Sequence, residues 1–172
     1  MKKRLFIIIA LGIFIGWAVW GWRTNNETFL KFSVWPIVRD IVAYVNKDMY
    51  LPGKVKIGKN VIEVEVVNSA LGKFKGLSYR QSLDENKGML FRFGSPSYYA
   101  FWMKGMQFPI DIIWIFNGQV VSIKKNVPIP VDRGLPQYIP DEPATDVLEV
   151  KAGYADRHNV KVGDKVDIEV PK

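Results

Sequence analysis

Residues 5 to 22 (LFIIIALGIFIGWAVWGW) contain no charged or amide side chain, and this run constrains the chain more than any other feature. Eighteen residues at 1.5 Å rise per residue span about 27 Å, close to the roughly 30 Å hydrocarbon thickness of a bilayer. Trp17, Trp20 and Trp22 crowd its C-terminal end, where indoles favour the headgroup region, while Lys2, Lys3 and Arg4 mark the opposite end as cytoplasmic. The segment therefore reads as a transmembrane anchor over residues 1–23. The predicted place is the cytoplasmic membrane, single-pass, with the N-terminus cytoplasmic and the C-terminal domain extracytoplasmic. A secretory signal peptide shares the basic start and apolar core but needs small residues at a cleavage site, where this chain has WAVWGWRTNN.

The anchor also explains much of the charge. The chain carries 24 basic and 17 acidic residues, a formal net charge of +7. Four of those 24 (Lys2, Lys3, Arg4 and Arg23) precede any acidic residue, which leaves 20 against 17, or +3, for everything after Arg23. Basic residues attract nucleic acid only when they share a surface, so no nucleic-acid partner is expected. With no cysteine there is no disulfide, thiol nucleophile or Cys-type metal site.

Residues 28–48 place Ile37, Ile41 and Val45 at helical spacing, with Ser33 as N-cap and Pro36 in the first turn, giving an amphipathic helix within a linker of residues 24–53. It either lies on the membrane or packs on the domain. Leu51-Pro52-Gly53 marks the expected start of a globular domain over residues 54–172.

From Lys54 the periodicity changes from helical to strand-like. Val61–Val67 alternates valines and isoleucine with Glu63 and Glu65, and residues 89–93, 98–103, 110–116 and 119–124 are further short runs of aromatic and β-branched residues. Asn117-Gly118 between two of them predicts a two-residue hairpin. Leu71 and Phe74 suggest a short helix capped by Asn68 or Ser69, and a second helical turn is expected at 152–158. Residues 126–145 hold five of the ten prolines and read as an extended surface loop. The predicted fold is mainly β, barrel-like, with one or two short α-helices, preceded by the transmembrane helix.

Asp111 interrupts the apolar run FPIDIIWIF, and an unpaired buried carboxylate costs several kcal/mol, so it requires a partner. If residues 98–104 and 110–116 form a hairpin, Lys104 is that partner; Arg80 is the alternative. The cluster is then either an ion pair that pins the hairpin or a functional carboxylate. Alternation sets Tyr98, Ala100, Trp102 and Lys104 on one face, where an aromatic beside a cation suits a carboxylate or a sugar ring. Aromatic stripes on strands also serve simply as core. His158 lies in an apparently exposed turn, Ser95 and Ser97 lack an elbow motif, and the carboxylates of Asp132, Asp141, Glu142, Asp146 and Glu149 read as solvated charge of the proline-rich region rather than as a metal site.

The runs Gly76-Leu77-Ser78-Tyr79-Arg80, Gly88-Met89-Leu90-Phe91, Phe101-Trp102-Met103-Lys104 and Pro109-Ile110-Asp111, continued by Val147-Leu148-Glu149-Val150 and Val162-Gly163-Asp164, resemble the family known as domain of unknown function 192 over about residues 55–170. The resemblance implies a small β-rich, barrel-like fold with no established activity. It carries over Arg80, Met89, Phe101, Trp102, Met103, Lys104, Pro109, Asp111 and Glu149 by position, without a role for any. Gly105-Met106 departs from the family's more usual Asn-Thr. Together these readings give a membrane-anchored extracytoplasmic binding or interaction module whose site, around Arg80, Trp102, Lys104 and Asp111, takes a small polar ligand or a cell-envelope component. The alternative is a cell-envelope enzyme with Asp111 as general acid or base and Lys104 or Arg80 stabilising charge. Neither requires a metal or an organic cofactor.

Overall fold

In the computed structural model, residues 50–130 and 134–170 are described. Contacts divide the chain into two units, Met1–Lys47 and Asp48–Lys172, and every described residue belongs to the second. The anchor at 5–22 and the helix expected at 28–48 lie outside the described residues, among which no helix is long and apolar enough to cross a membrane.

Period-2 alternation builds seven strands: β1 (Leu51–Ile57), β2 (Asn60–Val67), β3 (Lys87–Ser97), β4 (Ile110–Phe116), β5 (Gln119–Val127), β6 (Ala144–Lys151) and β7 (Val166–Glu169). Two short helices, α1 (Ala70–Lys75) and α2 (Tyr154–Arg157), complete the elements among the described residues. The strands form one sheet in the order β5-β4-β6-β3-β2-β1-β7. All neighbours are antiparallel except β2 and β3, whose parallel pairing requires the crossover that carries α1. The sheet curls into a half-barrel. At one end its two edges meet, because Val120 donates to the Asp164 carbonyl (3.0 Å), Gly163 to Val120 (2.8 Å) and Val166 to Gly118 (2.8 Å).

Local chemistry explains several boundaries. Asn117 and Gly118 both have positive φ (49° and 69°), as a type I′ turn needs, and join β4 to β5 as predicted. The Ser69 hydroxyl accepts from the Gly72 amide at 3.1 Å and caps α1. Leu51-Pro52-Gly53, expected to mark the start of the domain, form the first three residues of β1. There a Cβ on Gly53 would approach Val66 Cγ2 to 2.7 Å, so only glycine fits the strand contact.

Both faces of the sheet are packed. The inner face joins Val55, Ile62, Leu90, Ile113, Leu148 and Val150 to Tyr154 and Ala155 of α2. The outer face joins Val67, Met89, Phe91, Ile112, Trp114 and Val147 to Leu77, Met103 and Met106 from the connections that cover it. Strand β4, flanked by β5 and β6, is consequently buried from Ile110 to Ile115, which accounts for its nearly continuous apolar run.

Residues 98–104, expected to pair with 110–116 as a hairpin, do not. They run over the outer face with a single bridge, Phe101 to Tyr138, made of two backbone bonds of 2.9 and 2.8 Å. β4 has no free edge for them, because β5 and β6 occupy its two sides. The alternation survives without the ladder: Tyr98, Ala100, Trp102 and Lys104 are exposed, whereas Met103 is buried and Tyr99 and Phe101 are half-buried.

Close approach at the centre of the sheet supplies a test. A Cβ on Gly88 would meet the Glu149 carbonyl oxygen at 2.7 Å, whereas one on Gly94, in the same strand, meets nothing within 4 Å. Gly88→Ala is expected to lower unfolding free energy by about 1–3 kcal/mol, and Gly94→Ala by less than about 0.5 kcal/mol. Urea titrations of the two variants measure the difference.

Candidate functional site

The four residues predicted to form one site occupy three separate environments. Asp111 is fully buried, on the inner face of β4, and its carboxylate meets neither Lys104 nor Arg80. One oxygen accepts from the backbone amides of Asn126 (2.7 Å) and Gly153 (3.0 Å), the other from that of Ala155 (2.8 Å). Backbone donors can satisfy a buried carboxylate as a cation does, so the expected ion pair is replaced by an amide cradle. Both of its oxygens are committed to that cradle. It is a structural group, and the general acid or base predicted for it is not supported by this geometry.

Arg80 follows α1 and makes a two-pronged pair with Glu65 of β2, one prong being 2.7 Å from Nη2 to Oε2. Its guanidinium also lies 5.6 Å from the Tyr50 ring centre. It lines an open groove of about 850 Å³ with Glu63, Glu65, Asp84 and Lys87, apart from Lys104 and Asp111.

Trp102 and Lys104 do sit together. Trp102 is 38% exposed and Phe74, from α1, 58%. Their rings meet edge to face at 5.9 Å, with Lys104 Nζ 5.5 Å from one ring centre and 5.7 Å from the other. Behind them Phe93 stacks on Tyr99 at 3.6 Å, and Lys73 Nζ lies 4.3 Å from the Phe93 ring. Partial burial of Lys73 pulls its pKa down. Lys73, Phe74, Phe93, Tyr99 and Trp102 surround a cleft of about 240 Å³ that Phe91 and Phe101 also line. It is held in shape by backbone-directed bonds: Ser78 Oγ donates to the Lys104 carbonyl (2.7 Å) and the Tyr79 amide to that of Gly105 (2.8 Å).

Glu149 lies beneath this cleft. It points from β6 to the outer face, between Met89 of β3 and Ile112 of β4 in register. It is 5% exposed, and its Oε2 has no hydrogen-bond partner. Burial pushes its carboxyl up from 4.5 to about 8, against the opposing pull of Arg80's charge. It lines a chamber of about 20 Å³ that shares Lys73, Phe74, Phe91, Phe101 and Trp102 with the cleft above.

Sequence reading placed Glu149 among solvated carboxylates of the proline-rich region. The available signal was the run Val147-Leu148-Glu149-Val150, in which a strand buried on both faces leaves no solvent side for position 149. His158, expected to be exposed, is half-buried; it stacks on Tyr154 at 4.1 Å, with Nδ1 3.2 Å from Asn60 Oδ1. No group of three or more metal-ligating side chains occurs among the described residues.

The chain matches the family of domain of unknown function 192, described as an uncharacterised ACR, over residues 53–168. It belongs to that family. Two solved structures are similar. One, a protein of Sinorhizobium meliloti 1021 provisionally described as a transcription regulator, is 28% identical with a TM-score of 0.61, over 69% of this chain and 94% of that one. The other, a protein of unknown function from Novosphingobium aromaticivorans, is 30% identical with a TM-score of 0.59, over 69% of this chain and 84% of that one. Among curated proteins nothing matches the chain.

Two carboxylates give two tests. Asp111→Ala orphans three backbone amides and is expected to cost about 3–5 kcal/mol of stability, with Asp111→Asn intermediate, because its amide oxygen still accepts. An Asp111→Ala variant within about 1 kcal/mol of wild type in urea would contradict the cradle. For Glu149, the unfolded chain loses its proton near 4.5 and the folded chain only near 8, so the folded state holds more protons between these values. Its contribution therefore falls as pH rises through that window, by on the order of 1.4 kcal/mol per pH unit. Glu149→Gln is expected to unfold at a higher temperature than wild type at pH 8–9, with the gap shrinking towards pH 4.5, in paired melting curves.

Proposed function

We propose that the chain is a ligand-binding module, held on the outer side of the cytoplasmic membrane by residues 5–22, and that the cleft between Phe74 and Trp102 is its binding site. The observation that carries this reading is the pair of solvent-facing rings set edge to face over a cavity, with Lys104 beside both. Large aromatics normally gain about 25 cal/mol for each Å² of apolar surface buried, so two left open over a cavity form a surface that gains by being covered. A ring stacked on Trp102 gains on the order of 1 kcal/mol beyond the area it buries. The cleft is sized for one ring rather than for a drug-sized molecule. Of the predicted site residues, Trp102 and Lys104 belong to this reading; Arg80 and Asp111 do not.

A nucleic-acid reading, which the description of the S. meliloti protein raises, finds less support. The described arginines are paired with carboxylates, Arg80 with Glu65, Arg92 with Asp146 and Arg157 with Glu85, and the chain after Arg23 carries only +3 (20 basic against 17 acidic residues), so its remaining cations are largely offset by acidic side chains.

Full-length protein in nanodiscs, screened by calorimetry against saccharides, short peptides and carboxylates, tests the proposal. At least one class is expected to bind, and Trp102→Ala to weaken it about tenfold or more at unchanged melting temperature. A C-terminal alkaline phosphatase fusion is expected to be active. Binding indifferent to Trp102, or an inactive fusion alongside an active cytoplasmic reporter, would refute the corresponding half.

A further inference from the structure

A carboxyl with an unpartnered oxygen is among the costliest groups to bury, and the fold accepts one under its aromatic cleft. Glu149 Oε2 is screened from solvent and has no donor or acceptor in reach. The chamber it lines is walled by Leu77, Phe91 and Met106 together with Lys73, Lys75 and Ser78, and none of these hydrogen-bonds Oε2. The adjoining chamber of about 20 Å³ has room for one oxygen-sized group. It adjoins the cleft lined by Lys73, whose Nζ lies over the Phe93 ring, and by Phe74 and Trp102, whose rings have Lys104 Nζ within 6 Å. A ligand matching all three parts has a ring with an apolar face, a hydroxyl that reaches inward and an anionic group that stays at the rim.

Resting on the cleft assigned above, we propose that Glu149 is the ligand-anchoring group in the chamber that adjoins it and that the ligand is an acidic saccharide. Its pyranose face covers Trp102 and Phe74, one ring hydroxyl occupies the chamber against the Glu149 carboxyl, and its carboxylate lies near Lys73 and Lys104. Aromatic faces suit the C–H surface of a sugar, and the exposed edge-to-face pair offers two walls for one ring. The rim cations favour a carboxylate over a cation, so an ammonium ligand, which aromatic surroundings otherwise accept, is disfavoured here.

Burial keeps Glu149 protonated up to about 8, so it can donate to the hydroxyl oxygen as well as accept from it. The charged groups around it are Lys73 and Lys75 from α1, Arg80 after α1, Glu65 two strands away in register and, farther out, Lys104 beside the Trp102 ring. Lys73 also titrates lower than usual, so its loss of charge at alkaline pH acts on wild type and on a Glu149 variant alike.

The probe is trigalacturonate, with its methyl ester as the neutral control, titrated by calorimetry into full-length protein in nanodiscs at pH 6.5 and 9. Trigalacturonate is expected to bind at pH 6.5 at least about tenfold tighter than its ester. Between pH 6.5 and 9 wild type is expected to lose about tenfold in affinity, because the neutral fraction of a group titrating near 8 falls by that factor. Glu149→Gln, which keeps a neutral donor and acceptor in place, should bind within about threefold of wild type at pH 6.5 and lose distinctly less at pH 9. Equal pH dependence in wild type and Glu149→Gln overturns the anchoring role. Equal affinity for ester and acid, or no binding of either while another Trp102-dependent ligand binds, overturns the acidic saccharide and leaves the cleft standing. Trigalacturonate binding unaffected by Trp102→Ala overturns both.

Discussion

Three backbone amides on one buried carboxylate hold the inner side of this domain together. Asp111 sits at the start of the most buried strand and reaches Asn126 on β5 and Gly153 and Ala155 at the entry to α2. The first bond fixes the end of the β4–β5 hairpin, where the register is already irregular between Ile110 and Ile112. The other two seat α2, whose Tyr154 and Ala155 close the inner core. α2 is only four residues long and has no side-chain cap of its own, so its unpaired N-terminal amides need an external acceptor. Without Asp111 the inner core would lose its stopper and β5 its anchor at once.

The outer face works by a different rule. It is covered by connections rather than by regular elements, chiefly residues 98–109 and the turn after α1. A connection can drape aromatics over a sheet without satisfying a ladder, and it leaves seams where two such coverings meet. The cleft beside Trp102 is one of these seams, and Glu149 is the polar atom of the sheet beneath it. Function in β-rich domains commonly collects at such irregular coverings, because they vary while the sheet stays fixed.

Much of the sheet was legible in the chain itself. The alternation of Val61–Val67, the aromatic and β-branched runs and the Asn117-Gly118 turn each carry their structure locally, and the structure agrees at β2, β4, β5 and the hairpin. Asp111 was legible as a buried charge in need of a partner, but its partners are backbone amides, which have no side-chain signature. A cation was therefore sought where none was needed. The run at 98–103 has the composition and the alternation of a strand, yet strand pairing depends on a free edge, and the non-local pairing of β4 with β6 had already taken it. Glu149 was obscured by its neighbours: next to a proline-rich acidic stretch it looks like solvated charge, and only the two-sided burial of β6 reveals otherwise.

The pairing of β1 with β7 bears on how the domain carries load. Lys54–Ile57 are hydrogen-bonded to β2 on one side and to β7 on the other, so the first and last strands of the domain lie side by side. Whatever precedes Leu51 joins the domain through a strand gripped on both flanks. A pull directed along that strand loads many backbone bonds in parallel, as in shear, instead of opening them one by one like a zipper. The same arrangement brings the start of β1 and the end of β7 to one end of the sheet.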